Sequence, residues 1–295
     1  MQLIVHGGAG GVPDEPEARQ DVLEASAETG AEAETPLEAV EAAVRVLESS
    51  PRFNAGVGGA VQGDGVIRTD AGLMTDDRRV GAACSMPGVE HAVSVARVVL
   101  EETPHGLVSG EHAVSLADAY GIETGVELWT ERTRERWAEL EPPEGGPRAQ
   151  LEWTRERFGR RNQFGEPEDE YDHDTVGAVA FDGERLAAAT STGGRWLALA
   201  GRVGDVPQVG SGYYCSPAGG ASATGAGEDI ARVTLSRRVV GHLERGLGAE
   251  TATELAIEQF GELTGSSAGV IAIDASGTLG SAYNSDAMQT ARARR

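Results

Sequence analysis

Three features of the 295-residue sequence predict a mixed α/β or α+β fold. Residues 176–181 read Val-Gly-Ala-Val-Ala-Phe, an apolar run suited to a sheet covered on both faces. Asp182-Gly183 turns that run into a return strand from Arg185 to Thr190, so the pair reads as a hairpin. Behind Pro36, a residue favoured in a first helical turn, Leu37, Val40, Val44 and Leu47 recur on one helical face. Elsewhere strand-like and helix-like stretches come in groups instead of alternating one for one. The length allows one large domain or two small ones, with a sizeable core in either case.

In chain order, Gln2–Val5 reads as a short buried strand ending in the glycine turn His6-Gly7-Gly8-Ala9-Gly10. The helix from Pro36 stops by Pro51, and Phe53-Asn54-Ala55-Gly56-Val57-Gly58-Gly59 follows. Strands over 60–86 turn at Gly63-Asp64-Gly65 and at Asp76-Asp77. Val93, Ala96, Val99 and Leu100 mark a buried helix face, and another helix follows near 108–120. Residues 130–174 change character: charges crowd together, and Glu141-Pro142-Pro143-Glu144-Gly145-Gly146-Pro147 breaks regular structure. That segment reads either as a solvated linker or as the exposed tail of an amino-terminal subunit. Helices over about 230–245 and 250–262, then strands Ala268–Asp274 and Leu279–Ser285, close the chain.

Composition removes several function classes. There are 47 acidic and 25 basic residues, a net charge of −22, and every basic residue is Arg. So acidic a surface repels nucleic acid and anionic membranes. The absence of Lys excludes a Lys-dependent phosphate loop, Schiff-base chemistry and pyridoxal-phosphate attachment. It also suggests a salt-rich cytoplasm, with Arg-favouring codon bias as the alternative. Cys84 and Cys215 are too few for a disulfide framework, no signal-like start is evident, and no segment reaches the ~18 apolar residues of a membrane span. A cytoplasmic protein is expected. The histidines show no metal-ligand spacing.

Familiar motifs fail as well. Ala221-Ser222-Ala223-Thr224 lacks the second glycine of a nucleophile elbow, and no Gly-x-Gly-x-x-Gly opens a helix. Thr175, flush between the charged segment and a buried strand, reads either as β-branched packing or as a nucleophile.

Five blocks tip that balance: Val-His-Gly-Gly-Ala-Gly at 5–10, Phe-Asn-Ala-Gly-Val-Gly at 53–58, Asp-Thr-Val-Gly-Ala-Val-Ala at 174–180, Thr-Ser-Thr-Gly-Gly at 190–194 and Gly-Arg-Val-Gly-Asp at 201–205. In this order they resemble the plant-type asparaginase and isoaspartyl peptidase family of N-terminal nucleophile hydrolases, across nearly the whole chain. The resemblance implies a four-layer αββα sandwich in one domain, 1–295. It implies self-cleavage at Asp174–Thr175 into an α subunit, 1–174, whose tail is 130–174, and a β subunit, 175–295. Paired αβ units would form a homodimer. The implied activity is hydrolysis of β-aspartyl peptides and L-asparagine, with no cofactor and only a small-molecule or dipeptide partner.

Residue by residue, the resemblance makes Thr175 the nucleophile and Thr192 its hydrogen-bond partner. Thr224 and Gly225 would form the oxyanion hole, Arg202 would grip the substrate carboxylate, Asp205 its ammonium, and Asn54 and the His6–Gly10 loop would border the site. Backbone carbonyls of Leu47, Glu48, Ser50, Phe53, Ala55 and Val57 match a loop that holds a structural sodium or potassium ion in relatives. Ala226 stands where bacterial relatives commonly have Thr, and Gly72 is untypical within the strand Asp70–Met74. Most asparaginase-like relatives carry Gly before the nucleophile. His173-Asp174-Thr175 is closer to glycosylasparaginase, which makes a sugar-linked asparagine the alternative substrate. A non-catalytic amino-acid-binding member of the fold is the rival from another class.

Overall fold

The computed structural model describes residues 1–140, 143, 145–158 and 175–295. In order come β1 (Gln2–Gly10), α1 (Pro16–Ala31), α2 (Pro36–Glu48), β2 (Arg68–Thr75), β3 (Val80–Pro87), α3 (Ala92–Glu102), β4 (Val108–Ser109), α4 (Gly110–Ala119), α5 (Glu131–Ala138) and α6 (Pro147–Phe158). Beyond Thr175 follow β5 (Val176–Phe181), β6 (Leu186–Thr192), β7 (Tyr213–Ser216), β8 (Gly219–Gly225), α7 (Gly227–Val233), α8 (Leu235–Leu243), α9 (Ala249–Thr264), β9 (Ala268–Asp274), β10 (Leu279–Tyr283) and β11 (Ala287–Arg294). The first sheet runs β11-β1-β5-β6-β2-β3-β4 and the second β10-β9-β8-β7. The mixed α/β architecture expected from the sequence is present.

Strand alternation sorts the core into three parts. Val176, Ala178 and Ala180 of β5, with Ala187 and Ala189 of β6, face α1–α3 and meet Leu23, Val40, Val44 and Leu47. The alternate residues Val179, Phe181, Leu186 and Ala188 pack against Tyr213, Ile271 and Ile273 of the second sheet. Behind that sheet, Ala221, Ala223, Val270 and Ala272 meet Val239, Val240 and Phe260 of α8 and α9. By the same parity Thr175, Gly177, Thr190 and Thr192 lie on the face between the sheets. The uninterrupted apolar run of β5 is thus explained by cover on both sides.

Local signals place the elements. A capping box opens α2: Glu38 N–H donates to Thr35 Oγ1 at 3.3 Å, and Thr35 N–H donates back to Glu38 Oε2 at 3.2 Å. Truncating a fully buried side chain such as Leu47 to Ala would cost roughly 2–5 kcal/mol.

Several elements differ from the sequence expectation. β1 does not stop at Val5; it continues to Gly10 through a bulge between His6 and Ala9. The sequence reading has no helix at α1, whose one large fully buried apolar residue is Leu23, beside Ala27, Ser26 and Gly30, so the periodic signal is thin. The expected helix over 230–245 is two helices, split at Thr234, which adopts φ 51°. The first-turn N–H groups of Ser236 and Arg237 are taken by the carbonyls of Ser211 and Gly210. β7 and β8 lie in glycine- and serine-rich sequence, and β11 is an edge strand carrying Arg292 and Arg294. Inside 130–174, α5 and α6 are regular, with Thr130 and Thr133 capping the first. Residues 159–174, including Asp174, lie outside the described residues. Gly72 is explained by packing: a Cβ there would stand 2.1 Å from the buried Tyr213 ring.

Candidate active site

Thr175 sits at the mouth of the layer between the sheets, 8% exposed, one residue before β5. Thr192 ends β6 in register beside it, and the two hydroxyl oxygens are 3.5 Å apart. That is longer than a formed O–H···O bond at about 2.7–2.8 Å, a looseness usual in ligand-free sites. Thr192 Oγ1 accepts from Gly194 N–H at 3.1 Å and reaches the Asn54 carbonyl at 3.4 Å. Asn54 clamps the next turn: its Nδ2 donates to the Gly194 carbonyl at 2.7 Å and its Oδ1 accepts from Ala60 N–H at 2.7 Å. A Cβ at Gly193 would lie 2.5 Å from Gly59 Cα and 2.6 Å from Asn54 Oδ1. The two glycine blocks therefore interlock, which is why both carry glycine at this contact.

Behind Thr175 runs a buried neutral network. His6 Nε2 is 2.9 Å from Ser222 Oγ, which is 2.7 Å from Thr190 Oγ1, and Thr190 donates to the Gly212 carbonyl at 2.8 Å. Burial pushes the His6 imidazole down to about 3, against a contact with the Thr175 backbone, so His6 is neutral. A Cβ at Gly177 would fall 2.0 Å from Ser222 Oγ, so this crossing between the sheets needs glycine in β5. Thr224, fully buried at the end of β8, accepts from Ala9 N–H at 3.2 Å, joining the His6–Gly10 segment to the second sheet. Arg19 of α1 holds the same segment by donating to the Gly7 carbonyl at 2.7 Å while lying over the Phe53 ring at 4.6 Å. Gly225, at φ 131°, brings its backbone against the Ser267 carbonyl, 2.5 Å from where a Cβ would stand.

A charged cluster surrounds Arg202. Arg202 donates from Nε to Glu228 Oε1 at 2.8 Å and from Nη2 to Glu228 Oε2 at 2.7 Å, a planar two-pronged pair. Burial opposes ionisation of Glu228, but the hydrogen bonds and charge of Arg202 prevail and hold the carboxyl at about 2. Asp205 is 5% exposed, and its Oδ2 has no hydrogen-bond partner. Burial pushes its carboxyl up to about 7 despite the pull of Arg202. The space beside Gly227 is reached from both sides: a Cβ there would be 2.7 Å from Asp205 Oδ1 and 3.0 Å from Arg202 Nη2. An amino-acid head group, with one carboxylate and one ammonium, matches a guanidinium and a carboxylate so arranged.

Thr175, Thr192 and Asn54 are thus joined by contacts, and Arg202 and Asp205 share one pocket. Asp174 falls outside the described residues. The sequence reading missed Glu228, whose only signal was an acidic residue following the Thr224–Gly227 turn. It also missed the His6–Ser222–Thr190 network, whose signal was hydroxyls set into otherwise apolar strands. Among the described residues no group of three or more His, Cys, Asp or Glu side chains is placed to hold a metal ion. Cys84 and Cys215 are both free and buried.

A buried hydroxyl at a strand start, held against a second hydroxyl, is a group that can act as a nucleophile once a base takes its proton. Over residues 1–295 the chain matches the family model described as Asparaginase, and it belongs to that family. It is 38% identical to the plant-type L-asparaginase of Pyrococcus furiosus, over 99% of this chain and 95% of that one. A plant-type L-asparaginase of Pyrobaculum calidifontis is 40% identical, over 97% and 94% of the two chains. The isoaspartyl peptidase/L-asparaginase of Danio rerio is 35% identical, over 99% and 91%.

Proposed function

We propose that this protein is an autoprocessed threonine hydrolase that cleaves β-aspartyl peptides and L-asparagine. The observation that carries the reading is Thr175, buried against Thr192 directly after the charged segment, with Asp70, opposite Thr192 in the sheet, linking that pair to Arg202 and Asp205. Family membership and the printed names of the relatives support it.

The chemistry follows from the residues. In the precursor, Thr175 Oγ1 attacks the Asp174 carbonyl carbon, the peptide nitrogen leaves as the new α-amine, and water hydrolyses the resulting ester. The fragments are 1–174 and 175–295. The freed amine, with a pKa near roughly 7.7–8.0, then takes the Thr175 hydroxyl proton as Oγ1 attacks the side-chain carbonyl of the substrate. Thr224 Oγ1 and Gly225 N–H stabilise the negative oxygen that develops, and Thr192 orients the nucleophile. The leaving amine takes the proton, and water cleaves the aspartyl ester to release L-aspartate and restore Thr175. Arg202 and Asp205 hold the α-carboxylate and α-ammonium throughout.

The same reading takes the two sheets and their helix covers as the four-layer αββα sandwich, in one domain that works as a cytoplasmic homodimer of αβ units. Among the described residues no helix is long and apolar enough to cross a membrane. A structural alkali-metal ion fits the 47–57 loop. Val57 N–H donates to the Glu48 carbonyl at 2.8 Å and closes the loop, and Gly56 at φ 62° lies so near that its Cβ would be 2.2 Å from that oxygen. The carbonyls of Glu48 and Ser50 each accept one N–H and keep a second lone pair, that of Leu47 accepts from both Ser49 and Ser50, and those of Phe53, Ala55 and Val57 complete an all-oxygen set suited to a hard cation.

A denaturing gel with N-terminal sequencing, followed by rates on β-Asp-Leu, L-asparagine and asparagine-linked N-acetylglucosamine, tests the proposal. Two fragments, the smaller beginning at Thr175, and turnover of the first two substrates are expected. A single inactive chain would overturn it, and fastest turnover of the sugar-linked substrate would replace it with the glycosylasparaginase reading favoured by His173-Asp174-Thr175.

A further inference from the structure

Asp70 is a buried carboxylate that the mechanism above does not use. It lies in β2 directly opposite Thr192 of β6, and opposed residues of an antiparallel pair put their side chains on the same face. Asp70 is therefore directed, like Thr192, into the layer between the sheets where Thr175 lies, and it is 2% exposed. Its Oδ1 accepts from Ser85 N–H at 2.7 Å, across the irregularity where β2 and β3 lose register between Thr69 and Ala71. Ser85 has φ 56°, so this bond secures a strained backbone position. One neutral donor does not balance a buried carboxylate. An Asn would cap the bulge equally well, so the cap leaves the charge itself unexplained.

The charge has a visible counterpart in the head-group pocket. Arg202 and Asp205 both feel Asp70, and the groups around it are Arg202 and Asp205 from the 201–205 segment, Glu228 from α7 and the Cys84 thiol from β3. Arg202 is already matched by the two-pronged Glu228, a pair with no net charge. Arg195 adds a second positive charge beside Glu228, so the three carboxylates Asp70, Asp205 and Glu228 face two guanidinium groups and one negative charge is left over, with Asp205 Oδ2 lacking a hydrogen-bond partner. An α-ammonium group supplies the missing positive charge.

We propose that Asp70 is a further specificity-determining residue of the head-group pocket: a second carboxylate that, with Asp205, favours a substrate carrying a free α-ammonium group. The inference rests on the aspartyl-substrate reading given above. Two buried carboxylates of like sign raise each other's affinity for a proton, so the free pocket holds one near neutral pH and releases it when the ammonium arrives. Burial, opposed by the Ser85 N–H and by Arg202, puts Asp70 at about 6, beside Asp205 at about 7.

The test compares wild type with Asp70→Asn, which keeps the Ser85 acceptor. The pH profile of kcat/KM for L-asparagine is measured together with the affinity for L-aspartate as a product probe, read by thermal shift. Wild type should lose kcat/KM below roughly 8 as the Thr175 amine takes up a proton, and more steeply through about 6–7, a second acid limb, where the pocket carboxylates do. In Asp70→Asn that acid limb should move to lower pH, because Asp205 has lost a like-charged neighbour. KM above pH 8 should rise severalfold, with kcat changed less than twofold. Affinity for succinate, which lacks the ammonium, should hold or improve while that for L-aspartate falls. An unmoved limb, or equal losses for L-aspartate and succinate, would overturn the proposal and leave Asp70 a bulge cap. If wild type turns over neither L-asparagine nor β-Asp-Leu, the reaction assigned above fails, and the L-aspartate/succinate comparison still decides the role of Asp70.

Discussion

Around Thr175 the polar groups are hydroxyls, a carboxamide, backbone amides and one neutral imidazole, fixed by strand register and by glycines that let two sheets touch. Around Arg202, three carboxylates act on the guanidinium, Arg195 adds a second positive charge beside Glu228, and one buried carboxylate oxygen has no hydrogen-bond partner. The first region is neutral and nearly satisfied, so it is rigid before any ligand arrives. The second is charged and incomplete, so it is stabilised only when a zwitterion completes it. Preorganised neutral dipoles suit the atoms that react, because no reorganisation is then needed in the transition state. An unmet charge suits recognition, because the correct ligand relieves it and an uncharged analogue does not.

The sharpest break between the regions should come from Thr175→Ala. It removes a hydroxyl and a methyl group but no charge, so the protein should fold with a melting temperature within a few degrees of wild type. It should remain a single chain and show no turnover, while L-aspartate still binds in the Arg202 pocket. Gel, calorimetry and thermal shift with L-aspartate check the three parts. Cleavage between 174 and 175 in this variant would show that an outside protease makes the cut.

Asp205→Asn should do the opposite, harming function while stabilising the fold. Loss of one charge-assisted hydrogen bond is worth about 1.5–3 kcal/mol, so kcat/KM for L-asparagine should fall roughly tenfold to a hundredfold. Stability follows from the proton balance. In the folded protein Asp205 is raised to about 7, whereas in the unfolded chain it titrates near its ordinary value of about 3.9. Between those values the folded state binds more protons, so this group's contribution to stability declines as pH rises from about 4 to 7. At pH 8 the cost of burying the charge is complete, and Asn removes it. The variant should melt several degrees above wild type at pH 8 and level with it at pH 4. A variant that melts below wild type at pH 8 would show that Asp205 is already satisfied, and the contrast between the regions would collapse.

How much of this was legible in the sequence also divides along the same line. The hairpin that carries the neutral region was visible in the apolar run 176–181 and a return strand expected over 185–190, which the structure extends to Thr192, while the pairing of Thr175 with Thr192 came from the family resemblance. Glycine in the 53–59 and 190–194 blocks was equally readable, since each marks a close approach. The charged region was half visible. Arg202 and Asp205 share a short block, but Glu228 arrives from α7 and Asp70 from β2, and no local pattern announces a partner so far away in sequence. Elements with thin patterns were missed for a related reason. α1 buries mainly small residues, and β11 gains its pairing from β1 and not from its own apolar content. Tertiary context, which strand propensity and periodicity do not carry, decided those cases.

The smallest expected effect lies outside both regions, on the surface that carries most of the net charge of −22. Acidic residues outnumber basic ones by 22, from 47 against 25, and their mutual repulsion opposes the compact state. Salt shortens the reach of that repulsion, from about 10 Å at 0.1 M to about 3 Å at 1 M. Two terms oppose the gain. Surface pairs such as Arg97–Glu101 and Arg148–Glu152 are screened as well, but exposed pairs contribute only about 0–1 kcal/mol each. The hold of Arg202 on a carboxylate also weakens, yet that is a single contact in a pocket where the Arg202 side chain is 17% exposed and little screened. Repulsion sums over the whole surface and should dominate. The melting temperature should therefore rise by a few degrees between 0.1 M and 2 M KCl, while KM for L-asparagine rises only slightly. A flat or falling melting temperature would mean that the acidic surface is not under strain, and codon bias would then account for the missing lysines. A steep rise in KM would place the head-group pocket among the screened charges, and so erase the electrostatic difference between it and the surface.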